Sequence, residues 1–172
     1  DIEHKILHLV RGEDKKEQKD VFAPLSIDDV LSARREVLDI HMSDAVEEWR
    51  SNKYASSVFL LLGAPGIGKS CFAANQLHYN PNVICGVFCE WDKESQKDAK
   101  NIIKTIAFKL ATKLPDYRKI LLTKFECRGT DFIQALGAAD LFEQILIQPL
   151  SELIDGGRDK KIIVIDGLDE AG

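Results

Sequence analysis

Eight consecutive residues, Gly63-Ala64-Pro65-Gly66-Ile67-Gly68-Lys69-Ser70, place three glycines, a lysine and a hydroxyl in the pattern GxxxxGK[ST]. The chemistry this spacing suits is the binding of a triphosphate. Backbone N–H groups converging ahead of a helix start supply donors to phosphate oxygens, together with the positive end of the helix dipole. Gly63, Gly66 and Gly68 permit backbone angles and a close approach that a Cβ would obstruct. Lys69 would reach the β- and γ-phosphates, and the Ser70 hydroxyl would ligate magnesium. At ordinary residue frequencies the pattern arises by chance in roughly one chain of this length in two hundred, so its surroundings decide how much weight it bears. Cys71 follows the loop directly. A helix N-terminus can make such a thiol reactive, and packing beneath the loop is its plainer role.

A second constellation lies about a hundred residues on. Ile162-Ile163-Val164-Ile165 runs into Asp166, and Gly167-Leu168-Asp169-Glu170 follows. A carboxylate at the end of a buried strand can hold magnesium directly or through water, so Ser70 and Asp166 form the expected metal pair. Asp169 or Glu170 would orient or deprotonate an attacking water, the alternative being a solvated acidic turn. So many acids at one strand end repel one another, and a divalent cation would relieve that repulsion.

These groups need elements to position them. Val58-Phe59-Leu60-Leu61-Leu62, continuously apolar and followed by glycine, reads as a strand buried on both faces of a parallel sheet. A helix should open at Lys69. Val83 to Phe88 is the next strand, introduced by Asn80-Pro81-Asn82. Ile103, Ile106, Leu110 and Leu114 share one stripe of a long helix that Pro115 ends, and a shorter helix covers Tyr117 to Phe125. A loop is expected at Arg128-Gly129-Thr130. From Ala139 a further helix shows Phe142, Ile145, Pro149 and Leu153 at helical spacing, with Pro149 expected to kink or split it. Gly156-Gly157 stops it, and Lys161 to Asp166 is the third strand. Upstream, Ser26 and Asp29 mark a helix start ahead of Val30, Ala33, Val37 and Ile40, and a second short helical stretch carries Val46 and Trp49 before Asn52, Ser56 and Ser57 break it. Alternating strands and helices mean an α/β fold with a mainly parallel sheet. Residues 1–25 read as an N-terminal segment and linker, with a mixed charge run from Glu13 to Asp20.

The 172 residues are 45% hydrophobic and 30% charged, which fits a single domain with a buried core. A net charge of -5 provides no overall positive field, so direct nucleic-acid binding is not expected. Cys71, Cys85, Cys89 and Cys127 form no CxxC pair and read as buried free thiols. His4, His8, His41 and His78 lack metal-ligand spacing. Phe88 and Trp91 are better placed for packing than for stacking on a base. No apolar run is long enough to span a membrane and no signal-peptide pattern opens the chain, so an intracellular, cytoplasmic setting is expected.

The run DGLDE at 166–170, preceded by four apolar residues and following GAPGIGKS, resembles the NACHT subgroup of the STAND class of signalling ATPases. Val87-Phe88-Cys89, Leu114-Pro115-Asp116-Tyr117 and Gln148-Pro149-Leu150 add to the likeness, which covers roughly Leu31 onward. The resemblance implies a three-layer P-loop fold, with residues 26–172 as the N-terminal part of a nucleotide-binding domain, incomplete at its C-terminus. It implies binding of ATP or ADP with Mg2+, slow hydrolysis, and a switch that self-associates and works with other domains of the same chain. The residues so assigned are Gly63, Ala64, Pro65, Gly66, Ile67, Gly68, Lys69, Ser70 and Cys71 for nucleotide, Ser70 and Asp166 for metal, and Asp169 and Glu170 for hydrolysis. Arg35 and Trp49, in the lead-in segment, read as packing residues. In such folds a later strand separates the phosphate-loop strand from the magnesium strand, so Lys69 and Asp166 are expected to face each other across a gap, with weak hydrolysis by this piece alone and strand edges prone to association. Two alternatives stay open. A nucleotide-binding scaffold would not hydrolyse at all. Another P-loop enzyme is disfavoured by the absence of an Asn-Lys-x-Asp motif for a GTPase, and of an arginine-rich lid for a kinase, Arg158 being the one arginine after Arg128.

Overall fold

The computed structural model describes residues 39–89, 98–128, 131–153 and 160–170. Helix α1 (Asp39–Ser51) leads into an extended segment and the glycine loop, behind which α2 (Lys69–Tyr79) opens. Strand β1 (Val83–Phe88), helices α3 (Ala99–Lys113), α4 (Pro115–Arg128), α5 (Asp131–Ala135) and α6 (Ala138–Phe142), a π-helical turn (Glu143–Ile147), α7 (Gln148–Leu153) and β2 (Ile162–Asp166) follow. A short 3-10 turn (Leu168–Glu170) comes after β2. The chain is mixed α/β, and β1 and β2 pair in parallel.

Phe88 lies opposite Asp166 in the pairing, and Val83 opposite Ile162, with a register irregularity between Val83 and Cys85. That irregularity turns Ile84 and Cys85 toward one layer and leaves Val83, Gly86 and Phe88 facing the other. On the first side Cys85, Val87 and Cys89 pack against Ile102, Ile106 and Leu110 of α3, with Tyr117, Leu121 and Phe125 of α4 behind them. On the second, Ala73 and Ala74 of α2 meet Phe88, while Val46 of α1 and Phe72 of α2 meet Val83 and Ile162. The sheet is therefore sandwiched between helices, as the alternating pattern predicts. Gly86 lets α2 approach β1 closely: an added Cβ would sit 3.1 Å from the end of the Leu77 side chain, which would have to shift by a few tenths of an ångström.

Local chemistry sets the helix limits. The Asp98 side chain accepts from Lys100 N–H at 3.0 Å and caps α3. Pro115 ends α3 as expected and opens α4, a position where its missing N–H loses nothing. In the last helical stretch Pro149 supplies no donor to Ile145 O, the ordinary helical partner, or to Gln144 O, the partner in a π register. Both carbonyls are satisfied from α4. The Tyr117 hydroxyl donates to Ile145 O, and Lys124 Nζ donates to Gln144 O at 3.2 Å. The proline thus produces a π-helical turn, and the neighbouring helix carries its two matching donors.

Three expectations need correction. Val58–Leu62 is extended but is not a strand of the sheet: Val58, Leu60 and Leu62 are 70%, 72% and 78% exposed, while Phe59 and Leu61 alone turn inward. A strand buried on both faces needs a neighbour to ladder with, and among the described residues its backbone has none. Phe142 is exposed, and Leu141 takes the buried position one residue earlier. The helix at Tyr117 to Phe125 runs further, Pro115–Arg128, so Arg128 is helical and not part of a loop, and α5 has no counterpart in the sequence reading. The helix signals at Ser26 to Val37, Gly129-Thr130, Gly156-Gly157, Arg35 and Trp91 lie outside the described residues.

Candidate functional site

The glycine loop is positioned by a turn and by the start of α2. Ile67 N–H donates to Ala64 O at 3.3 Å, and Gly66 and Gly68 adopt φ of 79° and 102°, the left-handed region in which a side chain is strained. Gly68 precedes α2, and among the described residues no side chain caps that helix start. Gly63, Ala64, Pro65, Gly66 and Ile67 are exposed, as is Ser70, whereas Gly68, Lys69 and Cys71 are half-buried. Lys69 Nζ folds back over the loop and donates to Gly63 O at 2.8 Å and Ala64 O at 3.2 Å. The ammonium is thus held within the loop by its own carbonyls. The donor set suits a phosphate: the N–H groups of a helix's first turn, a lysine tethered beside them and a hydroxyl at the second helical position.

Asp166 ends β2 and is half-buried. Its carbonyl accepts from Cys89 N–H at 2.9 Å, extending the pairing one residue beyond β1. Phe88, its partner in register, packs on Ala73 and Ala74, one turn into α2 from Lys69 and Ser70. The loop helix and Asp166 therefore belong to the same, C-terminal, end of the sheet, where open α/β sheets bind their ligands. Among the described residues no three His, Cys, Asp or Glu side chains converge as a metal cage. Magnesium is commonly held by only one or two protein side chains, the rest of its shell being water and phosphate, so a site for it would not require such a cage.

Gly167 makes the turn after Asp166 with φ of 68°, and an added Cβ would lie 2.6 Å from Cys89 O. The close approach of the Cys89 carbonyl explains why a glycine follows Asp166. Asp169 is exposed on the 3-10 turn, and the Glu170 side chain lies outside what is described. Of the cysteines, Cys85 and Cys89 are buried free thiols and Cys71 is a half-buried one. Burial pushes the Cys85 thiol up to about 11 against the pull of Lys109 and Lys113, so it stays protonated and packs as an apolar group. Burial likewise holds the Tyr117 phenol far above its ordinary range. Neither group is a nucleophile.

Sequence reasoning passed over two lysines. Lys109 Nζ donates to Gly86 O at 2.7 Å. Cys89 N–H points to β2, so by alternation the Gly86 carbonyl points to the other edge of β1, where a lysine blunts an edge that would otherwise attract another strand. Lys160, just before β2, reaches the end of α1. No spacing rule in the sequence signals either contact.

Among the described residues no helix is long and apolar enough to cross a membrane. No curated protein and no solved structure matches the chain. The family described as Nephrocystin 3, N-terminal, matches residues 38–172, well over half of the chain and both constellations with it, and the chain belongs to that family.

Proposed function

We propose that this chain is the nucleotide-binding part of a NACHT-type molecular switch that binds ATP or ADP with Mg2+ and hydrolyses slowly. The observation that carries the reading is the start of α2 at the glycine loop Gly63–Ser70, which no side chain caps among the described residues, with Asp166 at the same end of the sheet. Backbone N–H groups of the loop would hold the phosphates, and Lys69 would exchange its two carbonyl partners for phosphate oxygens. Ser70 and Asp166 would hold the cation, whose chemistry is to neutralise the developing phosphate charge. Asp169 and Glu170 would orient the attacking water. Self-association, action with other domains and a cytoplasmic setting belong to the same proposal.

The test is equilibrium binding of a fluorescent ATP analogue with Mg2+, with ATP, ADP and GTP as competitors. Saturable binding that is displaced better by ATP or ADP than by GTP is expected. Lys69→Ala should weaken it at least about tenfold, since hydrogen bonds between charged groups are the strong ones. Binding that survives this substitution unchanged would remove the loop from the site. A second reading, a binder without turnover, is favoured by the exposure of Asp169. Unchanged phosphate release in Asp169→Ala and Glu170→Ala would support it.

A further inference from the structure

The phosphate loop and Asp166 have to keep a fixed separation if one cation is to touch both. Elsewhere in the sheet such spacing comes from a backbone ladder, but among the described residues Val58–Leu62 forms none with β2. One substitute is packing: Phe59 and Leu61 share a cluster with Val46, Ile162 and Val164. The other is a single lysine. Lys160 Nζ lies 2.8 Å from Asn52 O and 3.4 Å from both Trp49 O and Ala55 O. It also stands 5.3 Å from the centre of the Trp49 ring. Trp49 O belongs to the last turn of α1, and Asn52 O, which also accepts from Ala55 N–H at 3.2 Å, and Ala55 O belong to the turn just beyond it. A helix C-terminus carries negative partial charge, so an ammonium placed among these carbonyls is well satisfied. The Trp49 ring adds a cation–π contact, and its Nε1–H donates to Ser56 O at 2.7 Å. The turn from Asn52 to Ser56 is thereby closed around Lys160.

This knot sits where two extended segments set out. From Ser56 the chain runs through Val58–Leu62 to Gly63; from Lys160 it runs through β2 to Asp166. At about 3.3 Å per residue each run covers roughly 20 Å. We infer that Lys160 is a positioning residue for the nucleotide site: it pins the two segments at their common origin and so sets how far Ser70 stands from Asp166 at their ends. The inference rests on the reading of Gly63–Ser70 and Asp166 as a magnesium–nucleotide site.

Two variants separate positioning from mere stability. Lys160→Met keeps the apolar stem and removes the charge, and Lys160→Arg keeps the charge. The affinity of a fluorescent ATP analogue is measured with Mg2+ and again with EDTA. Without the cation only the loop side of the site is used; with it, both sides are. Lys160→Met should lose about tenfold in affinity with Mg2+, the scale of a lost charged hydrogen bond, and change less than about twofold in EDTA. Lys160→Arg should recover most of the loss. Equal losses in both conditions, or no loss, overturn the inference. If the parent chain binds no nucleotide, the reading of the site fails, and the positioning role is judged separately by electron spin resonance distances between labels at Leu62→Cys and Leu168→Cys, with Cys71 and Cys127 replaced by serine. Lys160→Met should broaden that distance distribution, and an unchanged distribution overturns the role whatever the nucleotide result.

Discussion

The two sides of the sheet are built to different standards. On the α3–α4 side the side chains interlock: Leu110, Tyr117, Leu121 and Leu141 are fully buried, and even the two carbonyls freed by Pro149 find donors on the neighbouring helix. On the loop side every second residue of Val58–Leu62 faces outward, and among the described residues no ladder holds the segment, which is tied to β2 by the packing of Phe59 and Leu61 and by Lys160. The proposed chemistry lies on the looser side. Regions that move or bind come from the less stable end of a structure, and a loop held by a few polar contacts can be rearranged at lower cost than one embedded in a core.

The largest expected effect tests the tight side. Leu110 is 0% exposed between α4 and β1. Leu110→Ala should destabilise the chain by about 3–4 kcal/mol, combining lost transfer energy with the cavity left behind. Denaturant unfolding measures it. A loss under about 1 kcal/mol would mean that the helical flank collapses around the gap, and the contrast between the two sides would fail.

A smaller effect tests the seam between them. Gly167→Ala meets both a left-handed backbone and the Cys89 carbonyl at 2.6 Å, whereas Gly66→Ala, at a similar φ, has nothing within 4 Å. The conformational term alone is about 1–2 kcal/mol for each. Gly167→Ala should therefore cost more, about 2–3 kcal/mol, the excess coming from displacement of Cys89 and of the pairing that ends at Asp166. Equal losses in the two variants would show that the Cys89 carbonyl yields freely and that Asp166 is less firmly seated than the pairing suggests.

Legibility in the sequence followed the same division. Strands β1 and β2 were readable almost to the residue because their apolar runs end in clear signals, an Asn-Pro-Asn turn before one and an acid after the other. Helix α3 was readable from its stripe and from Pro115. The break at Pro149 was legible, but not that Tyr117 and Lys124 would repair it, since that depends on how α4 packs. Val58–Leu62 misled because composition reports what a segment would bury and not whether a neighbour is there to bury it. The loop glycines and Asp166 stood out because phosphate and cation chemistry restrict both residue type and spacing. Lys160 did not, since a lysine reaching three carbonyls over a hundred positions back has no local pattern.

The smallest expected effect tests the loose side directly. Leu60 is 72% exposed, so replacing it removes little buried apolar area. Leu60→Thr also keeps a residue that favours extended backbone. Its effect on unfolding free energy should stay within about 0.5 kcal/mol, as for surface sites generally. Its effect on association should be visible, because Val58, Leu60 and Leu62 together form an exposed apolar row on a segment that makes no backbone ladder among the described residues. Sedimentation across a concentration series should show less self-association in Leu60→Thr than in the parent chain. A destabilisation of about 2 kcal/mol, with association unchanged, would instead mean that this row is covered within the chain, and the two sides of the sheet would then be alike in packing.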